Sequence, residues 1–490
     1  MEKGPVTVTA SISNARNRVN SMPPLTAIAS ILMCAGLGIT YFVLPEDGTV
    51  IIYRTAAIGG GLAIGLGILV QAQRGLRSLI RTDLLALIAL YGLTLVEFLF
   101  PQEGMDRLVS PQSAIQGVEA VFLGFCGLIV GRHFAVSSRA RAARNSIFVE
   151  LGPRKVFLLY LLVLCIGYAY MLFSVGFDPA ELINQMLGPR FSQPWGRSKI
   201  FGGWADLVVE LSGLVLYIIP GIAGSVIANP SRYTRLQLAI VILGLAFTLF
   251  YGFSGGTRNV FVIYVVIFVS SYIICKREIS WRYIAFLTCL TAGILYLSAY
   301  YMLQFRQVGL GAYIEGADEF RGFRKETLFI DYNLPTISQL TNVFPDTIEY
   351  LGWEVPYYAI ARPIPRALWP GKPTGLSVDM AETLGLRGLT LSSTFVGEAY
   401  MMGGYLGILS IGLVLGGLCG WWNRFGQDLR SNTNVALYVS GFFAAALSMR
   451  SMLWLSTAML PSLLIWLYLK RRHATRLVKP NSSNLNRYGN

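Results

Sequence analysis

Twelve stretches of this chain run for about 20 residues with few or no charges, the length an α-helix needs to cross the roughly 30 Å hydrocarbon core of a bilayer. They cover 25–44, 54–72, 82–100, 113–131, 156–176, 204–227, 236–252, 259–275, 282–303, 395–421, 434–449 and 452–469. The last two read equally well as one tight hairpin broken at Arg450 and Ser451. The sequence therefore predicts an all-α, polytopic integral membrane bundle of about 12 transmembrane helices. The first run follows a long polar lead, so it is expected to be an uncleaved first helix rather than a signal peptide.

Composition agrees. Hydrophobic residues make up 54% of the chain and charged residues 13%, against roughly 25% charged in a soluble domain. A net charge of +14 would point to nucleic acid in a soluble protein. Here most cations lie between apolar runs, and nucleic acid is not expected as a partner. The cysteines (34, 126, 165, 275, 289 and 419) sit in or beside apolar runs without a CxxC pair, which leaves neither a disulfide framework nor a zinc site. His133 and His473 lie in arginine-rich stretches. No metal or cofactor is expected.

The cations also orient the bundle. With the N-terminus inside, 25 of the 40 Lys and Arg fall on the inner side, mostly in short loops such as 73–81 and 132–155, as cytoplasmic loops require. Both termini are then cytoplasmic. The order is a tail at 1–24, helices 1–9 at 25–303 with an outer loop at 177–203, a large periplasmic loop at 304–394, helices 10–12 at 395–469, and a basic tail at 470–490.

The large loop is rich in aromatic residues, which argues for order, and a loop of this length is usually functional or disordered. "LSVDMAETLGL" (376–386) and "DPAELINQMLGPR" (178–190) have the spacing of short amphipathic helices on the membrane surface. "PIPRALWPGKP" (363–373) is held extended by its four prolines. It presents Arg362, Arg366 and Lys372 beside Trp369. Guanidinium forks suit phosphate oxygens and indole faces suit sugar rings; the same residues also suit a headgroup-level anchor. Glu97, Glu119, Asp206, Glu210, Arg258, Glu398 and Arg450 fall inside apolar runs, where ionisable residues pair or mark function. One pairing considered is Arg258 or Arg450 with Glu97. Most of these charges lie in the outer half.

"RPIPRALWPGKP" followed by "SSTFVGEAYMMGGYLGIL" (392–409) resembles the C-terminal region of bacterial Wzy-type O-antigen and exopolysaccharide repeat-unit polymerases, and "FSGGTRN" (253–259) resembles a Gly-Arg turn of the same proteins. The resemblance implies a metal-independent, membrane-embedded glycosyltransferase of the bacterial inner membrane. Its substrates would be glycans on undecaprenyl diphosphate, with a chain-length regulator and a flippase as possible partners. An acceptor hydroxyl would attack the anomeric carbon of the donor, and undecaprenyl diphosphate would leave. Arg366 with Arg258, Arg306, Arg362, Lys372 and Arg450 would hold the diphosphate. Trp369 and Trp353 would meet sugar. Glu398, or else Asp379, would be the general base, since both histidines map to the cytoplasm. The alternatives are an O-antigen ligase and a transporter or flippase of lipid-linked glycan.

Overall fold

The computed structural model describes residues 24–102, 104–134, 151–195, 212–276, 278–306, 308–316, 331–364, 368–373, 375–384, 392–427, 429 and 432–477. Among them every regular element is helical. The long helices are α1 (Pro24–Phe42), α2 (Thr49–Ala72), α3 (Thr82–Thr94), α4 (Pro111–Gly131), α5 (Pro153–Ser174), α6 (Ser212–Ile227), α7 (Arg235–Ser254), α8 (Arg258–Cys275), α9 (Trp281–Phe305), α10 (Thr394–Trp422), α11 (Asn432–Arg450) and α12 (Leu455–Leu477). Their starts follow local chemistry. Pro24, Pro111 and Pro153 occupy first turns, where a missing N–H costs nothing, and Ser110, Thr234 and Ser280 cap α4, α7 and α9 through their hydroxyls.

Nine of the helices in the described residues are long and apolar enough to cross a membrane. Large apolar side chains such as Ile31, Leu62, Leu162, Leu243 and Phe286 are exposed on their outer faces, a pattern that suits hydrocarbon and not water. The chain thus has the architecture of a multi-pass helical membrane protein. The other three apolar runs are also helical but fall short of that test. α3 gives way to a 3-10 turn at Val96–Leu99, the described part of α6 is short, and α11 opens on the polar Asn432, Thr433 and Asn434.

Two packed groups share the molecule. In one, α4 and α10 cross at the centre, with α1, α2 and α3 around them. In the other, α11 packs against α3, α6, α8 and α12, and α5 and α7 complete the group. α9 lies at the periphery against α8.

The α4–α10 crossing is made by glycine. Gly412, Gly416 and Gly420 of α10 face Gly124, Gly127 and Gly131 of α4, so closely that a Cβ on Gly416 would lie 2.4 Å from the Leu128 carbonyl oxygen and one on Gly420 2.4 Å from that of Arg132. Without a hydrophobic drive between helices in lipid, such close backbone contact is a main source of association.

At one end of this seam lies a buried charge network. Arg132 is fully buried; it donates to Ser30 Oγ (2.5 Å) and to Asp83 Oδ2 (3.4 Å). Asp83 also takes both arms of Arg81 (2.9 and 3.1 Å) and Asn423 Nδ2 (2.5 Å). Two residues counted above as loop cations, Arg81 and Arg132, thus tie α1, α3, α4 and the end of α10 together.

α10 is not one rod. Gly404 has φ 62° and Gly403 is also non-helical, so Thr394–Met402 forms a half-helix set at an angle to the rest. The carbonyls freed by the break are not bare: Met401 O accepts from Leu351 N (2.8 Å) and Met402 O from Gly352 N (3.0 Å). Irregular backbone at membrane depth is tolerated only when protein satisfies it.

The 304–394 segment enters the bundle more deeply than amphipathic surface helices would. Helix Asn333–Val343 packs on α4 with Leu334, Ile337 and Leu340 fully buried. Tyr53 donates to its Ser338 Oγ (2.7 Å), and its Asn333 Nδ2 donates to Leu93 O (2.7 Å). The expected surface helix at 376–386 is reduced to Met380–Thr383 among the described residues. A helix does form within 178–190, at Pro179–Leu187, started by Asp178, whose carboxylate accepts from the Ala180 and Glu181 N–H groups; Leu182 and Met186 turn inward to the protein.

Candidate functional site

The turn from α11 to α12, residues 450–454, gathers chemistry from four distant parts of the chain. It lies at the end opposite the Arg132–Asp83 network. On one side Arg450, the last residue of α11, reaches Asp331 Oδ2 (3.5 Å). Arg258, the first residue of α8, reaches the other oxygen of the same carboxylate (3.0 Å). Arg258 is placed there by the "SGGTRN" turn. Gly256 takes φ 61° and passes so close to Arg306 that a Cβ would lie 3.1 Å from the Arg306 Cα. Arg306, Glu97 and Arg450 all act on the Arg258 charge. The Asn259 amide oxygen, in the orientation that satisfies its partners, accepts from Arg450 at 2.6 and 3.2 Å.

Beneath the turn sits Glu398, on the half-helix of α10 and only 4% exposed. One oxygen accepts from the Ser451 hydroxyl; the other accepts from the backbone N–H groups of Met452 (2.6 Å) and Leu453 (3.4 Å). A carboxylate on the first N–H groups of a helix is a cap, so Glu398 fastens the start of α12 to α10. Glu398→Gln is expected to lower thermal stability by about 1–3 kcal/mol, because an amide offers one acceptor where the segment uses two. A thermal melt of the purified variant measures it; an unchanged midpoint would remove the capping role.

On the other side, the Arg362 guanidinium lies 3.4 Å from the centre of the Trp454 indole, and the Tyr358 ring is 5.9 Å away. A delocalised cation over an aromatic face is attracted by the ring quadrupole. The Lys372 ammonium turns back to donate to the carbonyls of Arg362 (2.5 Å) and Ile364 (2.9 Å). Lys372 thereby closes the proline loop on itself instead of standing out from it. Trp369 meets Tyr357 edge to face, ring centres 6.2 Å apart.

The expected site residues therefore separate. Arg258 and Arg450 come together around Asp331, Arg306 lies against the Gly256 turn that places Arg258, and Arg362 lies across the 450–454 turn on Trp454. Trp353 is 82% exposed at the start of helix Glu354–Ala361. Asp379 is exposed and accepts from the Glu382 N–H (3.2 Å), a local turn contact. Arg366, Asp206 and Glu210 lie outside the described residues. Glu119 faces Tyr41 and Tyr405. The arginines considered as partners of Glu97 both bond Asp331.

Between α10 and α12, floored by α11, lies a small apolar cleft. Its floor is small: Gly441, Ala444, Ala445 and Ser448. Met449 and Leu455 line it next to the 450–454 turn, and Trp421 and Trp422 line it toward the other end of α10.

No family model, curated protein or solved structure matches this chain.

Proposed function

We propose that this protein joins oligosaccharide repeat units carried on undecaprenyl diphosphate, at the outer face of the bacterial inner membrane, in O-antigen or exopolysaccharide synthesis. The reading takes the chain as twelve spans with both termini cytoplasmic and 304–394 outside. One observation carries it. The three segments that resemble repeat-unit polymerases, at 253–259, 362–373 and 392–409, are separate in sequence, yet Arg362 and Glu398 contact the 450–454 turn and Arg258 shares the Asp331 carboxylate with Arg450 of that turn. Clustered arginines at headgroup height fit a diphosphate leaving group, whose charge grows as the glycosidic bond to phosphate breaks. The lining of the neighbouring cleft is apolar and suits contact with hydrocarbon, so a lipid diphosphate would lie with its head at the turn and its tail beside α11.

A second reading has its own observation. Transporters use discontinuous helices near a substrate site, and α10 is discontinuous at Gly403–Gly404. Deleting the gene and examining surface glycan separates the two. Polymerisation predicts that single repeat units still reach the final acceptor while long chains vanish. Accumulation of lipid-linked units on the cytoplasmic face would overturn it in favour of transport.

A further inference from the structure

Asp331 touches both arginines of the outer cluster. Its two oxygens are divided between them, Oδ1 to Arg258 at 3.0 Å and Oδ2 to Arg450 at 3.5 Å. Two oxygens facing two guanidinium groups is the arrangement a phosphate presents to an arginine pair. The carboxylate is held there at a backbone cost. Asp331 has φ 135° and the following Tyr332 φ 48°, conformations that residues with a Cβ rarely adopt and that persist where the surroundings enforce them. Tyr332 is in turn fixed by the buried helix Asn333–Val343, anchored through Asn333 to Leu93 O.

The cluster is reachable. Asp331 is 18% exposed and Arg450 30% exposed on their side chains. Glu398 is not comparable, being buried with both oxygens committed to the 451–453 segment. A general base needs a lone pair within reach of the proton it takes.

We infer that Asp331 is the exchangeable occupant of a diphosphate seat formed by Arg258 and Arg450, and that once displaced it accepts the proton of the attacking sugar hydroxyl. The inference rests on the polymerase reading above. With the seat empty, Asp331 offsets part of the charge of the arginine pair. When the donor diphosphate takes the guanidinium groups, the carboxylate loses both contacts and lies beside the reacting centre. The acceptor O–H bond breaks and its proton passes to Asp331. The oxygen forms a bond to the anomeric carbon. The bond from that carbon to the diphosphate oxygen breaks, and its electron pair leaves on the lipid diphosphate held by the arginines. No oxidant, reductant or further reactant is needed.

Displacement and base action give opposite signs in one variant, which a merely structural ion triad does not. The test uses full-length protein in nanodiscs, with inorganic pyrophosphate as the calorimetric probe and chain extension as the rate. Asp331→Asn removes the internal competitor, so pyrophosphate is expected to bind about tenfold more tightly. The same variant removes the proton acceptor, so extension per molecule is expected to fall by about 10²–10⁴, in kcat more than in KM. Asp331→Glu is expected to recover part of that rate. If Asp331→Asn does not accumulate as folded protein, Asp331→Ser carries the same two readouts.

Pyrophosphate binding that is unchanged or weaker, or extension near the wild-type rate, would overturn the inference while leaving the anion site intact. Arg258→Ala and Arg450→Ala separate that case from failure of the underlying reading. If both bind pyrophosphate like the wild type, there is no diphosphate seat, and the polymerase reading of this cluster falls with it.

Discussion

Gly416→Leu is expected to leave essentially no folded protein in the membrane. A Cβ at this position meets the Leu128 carbonyl oxygen at 2.4 Å and the Leu128 Cα at 2.9 Å. Both are backbone atoms of α4, so no side chain can swing aside. The helices must separate, and the seam from Gly412 to Gly420 opens with them. Separation also pulls Asn423 from Asp83, which leaves buried charge under-compensated. A loss above about 4–5 kcal/mol, rare for one substitution, is the expected scale. The matched control lies one residue away. A Cβ on Gly417 meets only the Gly131 carbonyl oxygen, at 3.6 Å, an ordinary contact. Gly417→Ala should therefore purify and melt like the wild type, whereas Gly416→Ala should already lose about 1–3 kcal/mol to overpacking. Size-exclusion recovery and melting midpoint read both, and equal behaviour of the two alanine variants would refute the seam.

Arg258→Ala is expected to reduce chain extension by about 10²–10³ per inserted molecule, the scale seen when one donor to a developing negative charge is removed. Arg258 and Arg450 share one carboxylate, so on the proposed polymerase reading its loss leaves one guanidinium where a diphosphate would meet two. Arg258→Lys should restore part of the rate, since lysine keeps the charge but not the planar fork. Polymer length per unit of membrane-inserted protein is the measurement. Wild-type extension in Arg258→Ala, at normal protein level, would remove this arginine from the chemistry.

The helices themselves were legible because membrane insertion writes them as uninterrupted apolar runs; among the described residues each of the twelve runs contains helix, and nine of these helices are long and apolar enough to cross a membrane. Arg258 and Arg450 were legible for a related reason: a guanidinium in an apolar run stands out. Their partner was not. Asp331 lies in a polar stretch, where one carboxylate looks like any other, and only the folding back of helix Asn333–Val343 brings it to α8 and α11. That helix had a readable signal in Leu334, Ile337 and Leu340 at helical spacing, and the glycine seam had one in Gly412, Gly416 and Gly420 at intervals of four. Glu398 shows the converse. Its identity and depth suggested a base, but the nearby N–H groups of 452 and 453, which no sequence pattern exposes, give it the work of a cap. Lys372 likewise looked presented by stiff prolines, yet two loop carbonyls lie within its reach.

The pair of backbone hydrogen bonds from Leu351 and Gly352 to the break in α10 limits how this protein can diversify. A long loop joined to its scaffold only at its two ends can be exchanged whole between relatives, like a cassette. This one completes the hydrogen bonding of α10 at its break. A foreign loop that does not bring two backbone N–H groups to this place would leave the Met401 and Met402 carbonyls without partners, at a cost of about 1–3 kcal/mol each. New specificities on this scaffold must therefore arise by changing side chains along a backbone path that stays the same, and chimeras that keep 350–353 should insert where whole-loop grafts do not.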